Sequence, residues 1–388
     1  MNRITSRISS IYERFFPTAK VLPAGIYHYE SPGGPNGPYR LHLRLEPDGE
    51  GMLIINASTV LHMNHTAAEM AYYFVHSYSD ADVSVQMLKR YNVASEVAKA
   101  DYEQFKDKLN GLILTPDLDP VTYLDVDQNA LYSSAISAPY RLDCAVTYRT
   151  MEESSQNYAP VDRVKRELEL AEWQKIIDKA WNAGIPHVIF TGGEPTLRDD
   201  LPQLIAYGEK IGVVTGLLTN GIRLADPEYL HSLLMSGLDH LMIVLDTEND
   251  KAWDAVRHVI AEDIATTIHL TITEQVLPEI PSLLDYLVRL GVRQVSLSAN
   301  SAALNEETKK VRQSLAEHGI KLIWDLPVPY SQFHPVAVEL AENEETPQGA
   351  GRAWLYVEPD GDVLPAQGVN QVLGNLLTDP WEKIWEKH

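Results

Sequence analysis

From Tyr140 to about residue 326 the chain alternates short apolar runs with amphipathic ones, and this alternation limits its folds more than any other feature. RLDCAVTYR, PHVIFTGG, GVVTGLLTN, DHLMIVLD, ATTIHLTIT, RQVSLSAN and IKLIWDLPV each read as a short buried strand. EWQKIIDKAWNAG, DLPQLIAYGEKIG, DPEYLHSLLMSG, IPSLLDYLVRLG and NEETKKVRQSLAEHG carry helical spacing between them. Apolar strands joined by helical crossovers need cover on both sheet faces. The predicted fold class is therefore α/β, with a parallel sheet or barrel spanning residues 139–338.

The flanking segments follow a different grammar. Residues 1–40 read as an N-terminal arm that ends in the turn-rich stretch SPGGPNGPYR. LHLRLEP alternates as a half-buried strand does, DGEG signals a turn, and MLIINAS completes a hairpin. Three helical patterns follow, AAEMAYYFVHSY with Asn64 or Thr66 as cap, DADVSVQMLKRY, and SEVAKADYEQFKDKLNGLIL. In the last, Val97, Ala100, Tyr102, Phe105 and Leu109 are close to helical spacing. Residues 41–116 thus predict a winged-helix-like unit, and 117–138, containing TPDLDPVTYLDVD, a linker. Residues 339–388 predict a β-hairpin extension turning at Asp360-Gly361, followed by a short helix, DPWEKIWEKH.

A chain of 388 residues is long enough for two or three such units. Its formal charge of -22 lacks the basic footprint of a nucleic-acid binder and favours attraction of a basic partner segment. No apolar run approaches the length of a membrane span. The opening MNRITSRISSIYERFF lacks a secretory signal's apolar stretch and cleavage site, so the expected location is cytoplasmic. One cysteine, Cys144, cannot form an intrachain disulfide. Nor can it supply the several thiolates of an iron–sulfur cluster or a cysteine-rich zinc site. The 13 histidines form no HxH or HExxH group, leaving only His258 and His269 as a pair to test in space.

Four stretches carry a family resemblance. AVTYR (145–149) is followed by TMEESSQNY, IFTGGEPTLRDDL spans 189–201, LLTNGIRL spans 217–224, and VLD spans 244–246. In this order they resemble the strand-end motifs of radical S-adenosylmethionine (SAM) proteins. That family places a Cys-x-x-x-Cys-x-x-Cys loop after the first barrel strand, where this chain has Thr150, Ser154 and Asn157. Hydroxyls and an amide are poor iron ligands beside soft thiolates. The resemblance assigns Gly192, Gly193 and Glu194 to the amino end of SAM, with Thr219, Asn220 and Asp246 completing the ligand set. A Ser-x-Asp is usual on the fourth strand, so Val244 departs from the pattern.

The resemblance extends to both ends and covers about residues 41–388. MLIINAST…LHMNHTAAEM and AKADYEQFKDKLNGLIL resemble the PqqD-like element with which maturases of ribosomally made peptides grip a leader. It implies an extended peptide pairing with an edge at Met52, Leu53, Ile54, Ile55 and Asn56, over a groove of Tyr102, Phe105 and Leu109. QGAGRAWLYVEPDGDVLPAQ resembles the SPASM or twitch extension, with Gln348 and Ala366 in its cysteine places. The resemblance implies a partial (β/α)6 barrel with SAM or a related amine as candidate ligand, and the missing cysteines imply that it requires no cofactor and carries no iron–sulfur cluster. The expected role is a pseudoenzyme binding a precursor peptide or a partner maturase. The alternative is a non-radical enzyme, such as a SAM-dependent transferase, drawing on Glu194, Asp246, His269, Tyr148 and Asp325.

Overall fold

A computed structural model describes residues 21–31, 33, 39–56, 59–91, 93–114, 136–151, 158–262, 264–323, 326–336 and 349–385. Two compact units divide the chain at 137/138. The linker predicted at 117–138 and the first 20 residues of the arm fall almost wholly outside the described residues, as do Ser154, Asn157, Asp325 and Gln348.

The first unit holds a four-stranded antiparallel sheet of β1 (Gly25–Glu30), β2 (Arg40–Leu45), β3 (Gly51–Ile55) and β4 (Thr59–Met63), in that order. Three helices follow, α1 (His65–Val75), α2 (Asp80–Arg90) and α3 (Ser95–Leu114). Asn64, not Thr66, caps α1, its side chain accepting from the Ala67 amide at 3.0 Å. Alternation along the strands puts Leu41, Leu43, Leu53, Ile55 and Leu61 on one face, packed with Ala68, Ala71, Leu109 and Leu112 of the helices.

Two strands here correct the expected hairpin. GIYHYE, inside a stretch read as turn and connection, forms β1, and TVLHM forms β4. As a result β3 is a central strand, its residues paired with β2 on one side and β4 on the other. The peptide edge expected at Met52, Leu53, Ile54 and Ile55 is therefore already hydrogen-bonded on both sides, and all four side chains are buried. Asn56 lies at the following turn, its side chain accepting from the Arg40 amide. The sheet's outer strands among the described residues are β1 and β4.

The second unit is an α/β fold. Parallel strands β5 (Arg141–Thr147), β6 (His187–Gly192), β7 (Val214–Thr219), β8 (His240–Val244), β9 (Ala265–Ile272), β10 (Gln294–Ala299) and a short β11 (Lys321–Leu322) lie side by side in chain order. The crossovers carry α4 (Leu170–Ala183), α5 (Leu201–Ile211), α6 (Pro227–Met235), α7 (Asp250–Ile260), α8 (Ile280–Leu290) and α9 (Asn305–Glu317). Helix-facing residues such as Leu142, Val188, Phe190, Leu217, Leu241, Ile243, Ile268 and Leu270 join one large core with Trp173, Ile176, Leu204 and Leu284. The arrangement resembles a partial radical SAM barrel.

The C-terminal hairpin is continuous with this sheet. β12 (Trp354–Val357) runs parallel to β5, with Trp354 opposite Arg141 and Val357 opposite Cys144. β13 (Asp362–Leu364) and β14 (Gly374–Asn375) pair antiparallel beyond it, and α10 (Trp381–Trp385) follows. The Asp360-Gly361 turn falls where the sequence places it.

Candidate functional site

The C-terminal ends of β5, β6 and β7 converge on one knot of backbone. Gly192 has φ +121°, and a Cβ there would sit 2.2 Å from the Thr147 carbonyl oxygen. A Cβ on Gly193 would sit 2.3 Å from the Arg149 carbonyl oxygen. Only glycine lets the two loops approach this closely. The gap is then spanned by hydrogen bonds, the Gly193 amide donating to Thr147 O at 2.9 Å and the Glu194 amide to Arg149 O at 2.7 Å.

Glu194 is buried and reaches from the β6 turn to the β7 turn. One carboxylate oxygen accepts from the Thr196 amide and hydroxyl and from the Thr219 hydroxyl at 2.7 Å; the other accepts from the Asn220 amide at 2.8 Å. Burial raises its pKa while these donors work to lower it. Gly192, Gly193, Glu194, Thr219 and Asn220 thus come together, held by partners from the chain itself.

Asp246 follows β8 and accepts from the Glu248 amide at 3.1 Å, closing a turn ahead of α7. His269 lies on the inner face of β9 opposite Val244. Its Nδ1 is 3.1 Å from the Ser296 hydroxyl and its Nε2 2.9 Å from that of Ser298. Burial drops its pKa to about 3, with His334 contributing. Both ring nitrogens are engaged in the barrel wall, while His258 sits on α7. Among the described residues no three His, Cys, Asp or Glu side chains group as a metal site.

Tyr148 turns toward the hairpin extension. Its hydroxyl donates to Glu358 at 2.9 Å, and Glu358 also takes Arg163 at 2.8 Å. Burial lifts the Tyr148 pKa well above its ordinary value. Thr147 and the Tyr148 amide donate to Glu167, and the Tyr148 ring meets Tyr330 edge-on at 5.5 Å. Glu167, Glu358, Arg163 and Tyr330 were not singled out in the sequence. Ser296 and Ser298 had a signal, because Ser-x-Ser within a strand puts both hydroxyls on one face.

The donor set does not fit an iron–sulfur cluster. Thr150 offers a hydroxyl after β5, and Ala366, buried in the hairpin extension, a methyl group. Cys144 lies within β5 on the helix-facing side with Leu142 and Val146, fully buried, its thiol pKa pushed well up by that burial.

In the first unit Tyr102 and Leu109 are buried in the helical core, so of the expected groove residues Phe105 alone is partly accessible.

Residues 144–272 match the radical SAM superfamily. The chain is 25% identical over 291 residues to the PqqA peptide cyclase of Streptomyces rochei, a match covering 65% of this chain and 76% of that one. With the PqqA peptide cyclase of Methylobacterium sp. (strain 4-46) it shares 28% identity over 287 residues, 64% of this chain and 73% of the other. Its fold is similar to that of Streptococcus suis SuiB solved with S-adenosylmethionine, at a TM-score of 0.57 and 16% identity, over 92% of this chain and 88% of SuiB. SuiB solved with its precursor peptide SuiA gives a TM-score of 0.57 at 15% identity over the same shares.

Proposed function

The chain is a homologue of the radical SAM peptide maturases that lacks their cluster cysteines, and on that premise we propose that it works as a cluster-free binding protein in peptide modification. Its ligand is an extended segment of a ribosomally made precursor peptide, and its setting is the cytoplasm. The observation that carries this reading is an absent thiolate set within a fold that matches SuiB over 92% of the chain. Without a cluster there is no electron donor to cleave SAM reductively. The PqqA peptide cyclases are named for a peptide substrate, and SuiB was solved with its precursor.

Because β3 is paired on both sides, the proposed peptide site is β4. Thr59–Met63 has β3 on one side only among the described residues, and Phe105 of α3 is a partly accessible aromatic packed against the core that holds Leu61 and Met63. An added strand gains backbone hydrogen bonds from such an edge and selectivity from alternate side chains. No helix among the described residues is long and apolar enough to cross a membrane.

The test uses the full chain and labelled synthetic peptides encoded by short reading frames beside its gene. Binding is expected to slow amide exchange at residues 59–63 and to weaken about tenfold or more in Phe105→Ala, as loss of an aromatic anchor does. Slowed exchange confined to other surfaces, or no binding by any of these peptides, removes the proposal.

A further inference from the structure

The stretch Leu326-Pro327-Val328-Pro329-Tyr330 follows β11 and crosses the inner face of the barrel. Its alternation is informative. In an extended chain, residues 326, 328 and 330 point one way and the prolines the other. The two prolines fix φ and hold the stretch extended before it packs. Val328 and Leu326 meet Ile189, Leu218, Met242 and Val244, the inward residues of β6, β7 and β8. Tyr330 packs against Tyr148.

Polar anchors hold the stretch along its length. The Tyr330 amide donates to the Gly192 carbonyl at 2.8 Å, at the turn the family resemblance assigns to the amino end of SAM. The Gln367 side chain, from the hairpin extension, donates to the Val328 carbonyl at 2.8 Å. Just beyond, the Val336 amide donates to Tyr158 O. Protein atoms alone leave Met242 only 1% exposed at the bottom of this packing.

We infer that Leu326–Tyr330 is a self-supplied plug that closes the barrel's inner face over β6–β8, so that this barrel takes up no SAM. The Gly192 carbonyl is bound by the plug, the Glu194 carboxylate by Thr196, Thr219 and Asn220, and the apolar floor is covered by Val328. The residues thus fit SAM no better than they fit the cluster. This conclusion is independent of which peptide or protein the first unit binds.

Methionine oxidation reads the plug directly, because the chain carries its own controls. Met235 is 74% exposed, while Met70 and Met87 are buried in the first unit. In a timed peroxide pulse followed by peptide mass spectrometry, Met242 of the full chain is expected to oxidise about a hundredfold more slowly than Met235. Leu326→Gly/Val328→Gly should raise the Met242 rate at least about tenfold while Met70 and Met87 stay protected. Gln367→Ala, which loosens the plug from outside the barrel, should raise it by a smaller factor without emptying the apolar packing. Calorimetry of the unmutated chain with about 1 mM SAM should give no saturable heat, an affinity weaker than about 4 kcal/mol. Equal oxidation of Met242 and Met235, a Met242 rate unmoved by both variants, or saturable SAM heat would each overturn the inference.

Discussion

His269 shows how one buried side chain sets a pH limit on the fold. Its two ring nitrogens face Ser296 and Ser298, which a neutral imidazole satisfies as one donor and one acceptor. Burial lowers its pKa to about 3 against an ordinary 6.5, so below pH 6.5 the unfolded chain takes up a proton that the folded chain refuses. Its contribution is complete above pH 6.5 and is lost as pH falls from there toward 3, at about 1.4 kcal/mol per pH unit. His42, lowered to about 3, and His240, lowered to about 4, act in the same direction. Denaturant unfolding between pH 6.5 and 4.5 should show stability declining steadily, with a shallower decline in His269→Gln. An identical slope in that variant would assign the acid sensitivity to other groups.

At the level of elements, the sequence revealed what periodicity controls and concealed what pairing controls. The runs that became β5 to β10 are apolar because both sheet faces are covered, and each appears as a strand. IKLIWDLPV reads just as apolar, yet pairs only over Lys321–Leu322. Pro327 and Pro329 cannot donate to a ladder, and Leu326 and Val328 pack instead on the inward residues of β6–β8. β1 was hidden among glycines and prolines and β4 by its brevity, so the edge of the sheet was misplaced by one strand. NDKAWDAVRHVI, absent from the helical stretches read in the sequence, becomes α7 under an Asn249 cap. The motif residues at the β6 and β7 turns were legible by type; that Glu194 joins the two turns was not, because pairing across elements leaves no local pattern. Glu194→Gln puts an amide nitrogen among N–H and O–H donors at that junction. It should lower unfolding free energy by about 2–4 kcal/mol, the scale of hydrogen bonds to a charged group left unmade. A variant with unchanged thermal stability would show that the tie contributes little to the fold.

For the whole molecule, the end of β5 has to be tied to the rest of the sheet. Here the brace is organic. Thr147 and the Tyr148 amide bind Glu167, the Tyr148 hydroxyl binds Glu358, and Arg163 bridges Glu358 to Asn370. Because Glu358 and Asn370 belong to the C-terminal extension, this network joins the end of β5 to the hairpin that extends the sheet past it. Its cohesion depends on hydrogen bonds and packing, so a strong chelator should leave the melting temperature of the purified chain unchanged. Anaerobic reconstitution with ferrous iron and sulfide should likewise yield far less than one cluster per chain, since Cys144 is one buried thiol where three accessible thiolates are needed. With dithionite and SAM the reconstituted sample should release no 5′-deoxyadenosine. Near-integral iron and acid-labile sulfide with stoichiometric 5′-deoxyadenosine would mean that ligands other than cysteine sustain the cluster, and the donor argument would fail. A chelator-sensitive melting temperature without that product would instead identify a structural metal, and the organic brace would not be what holds this end of β5.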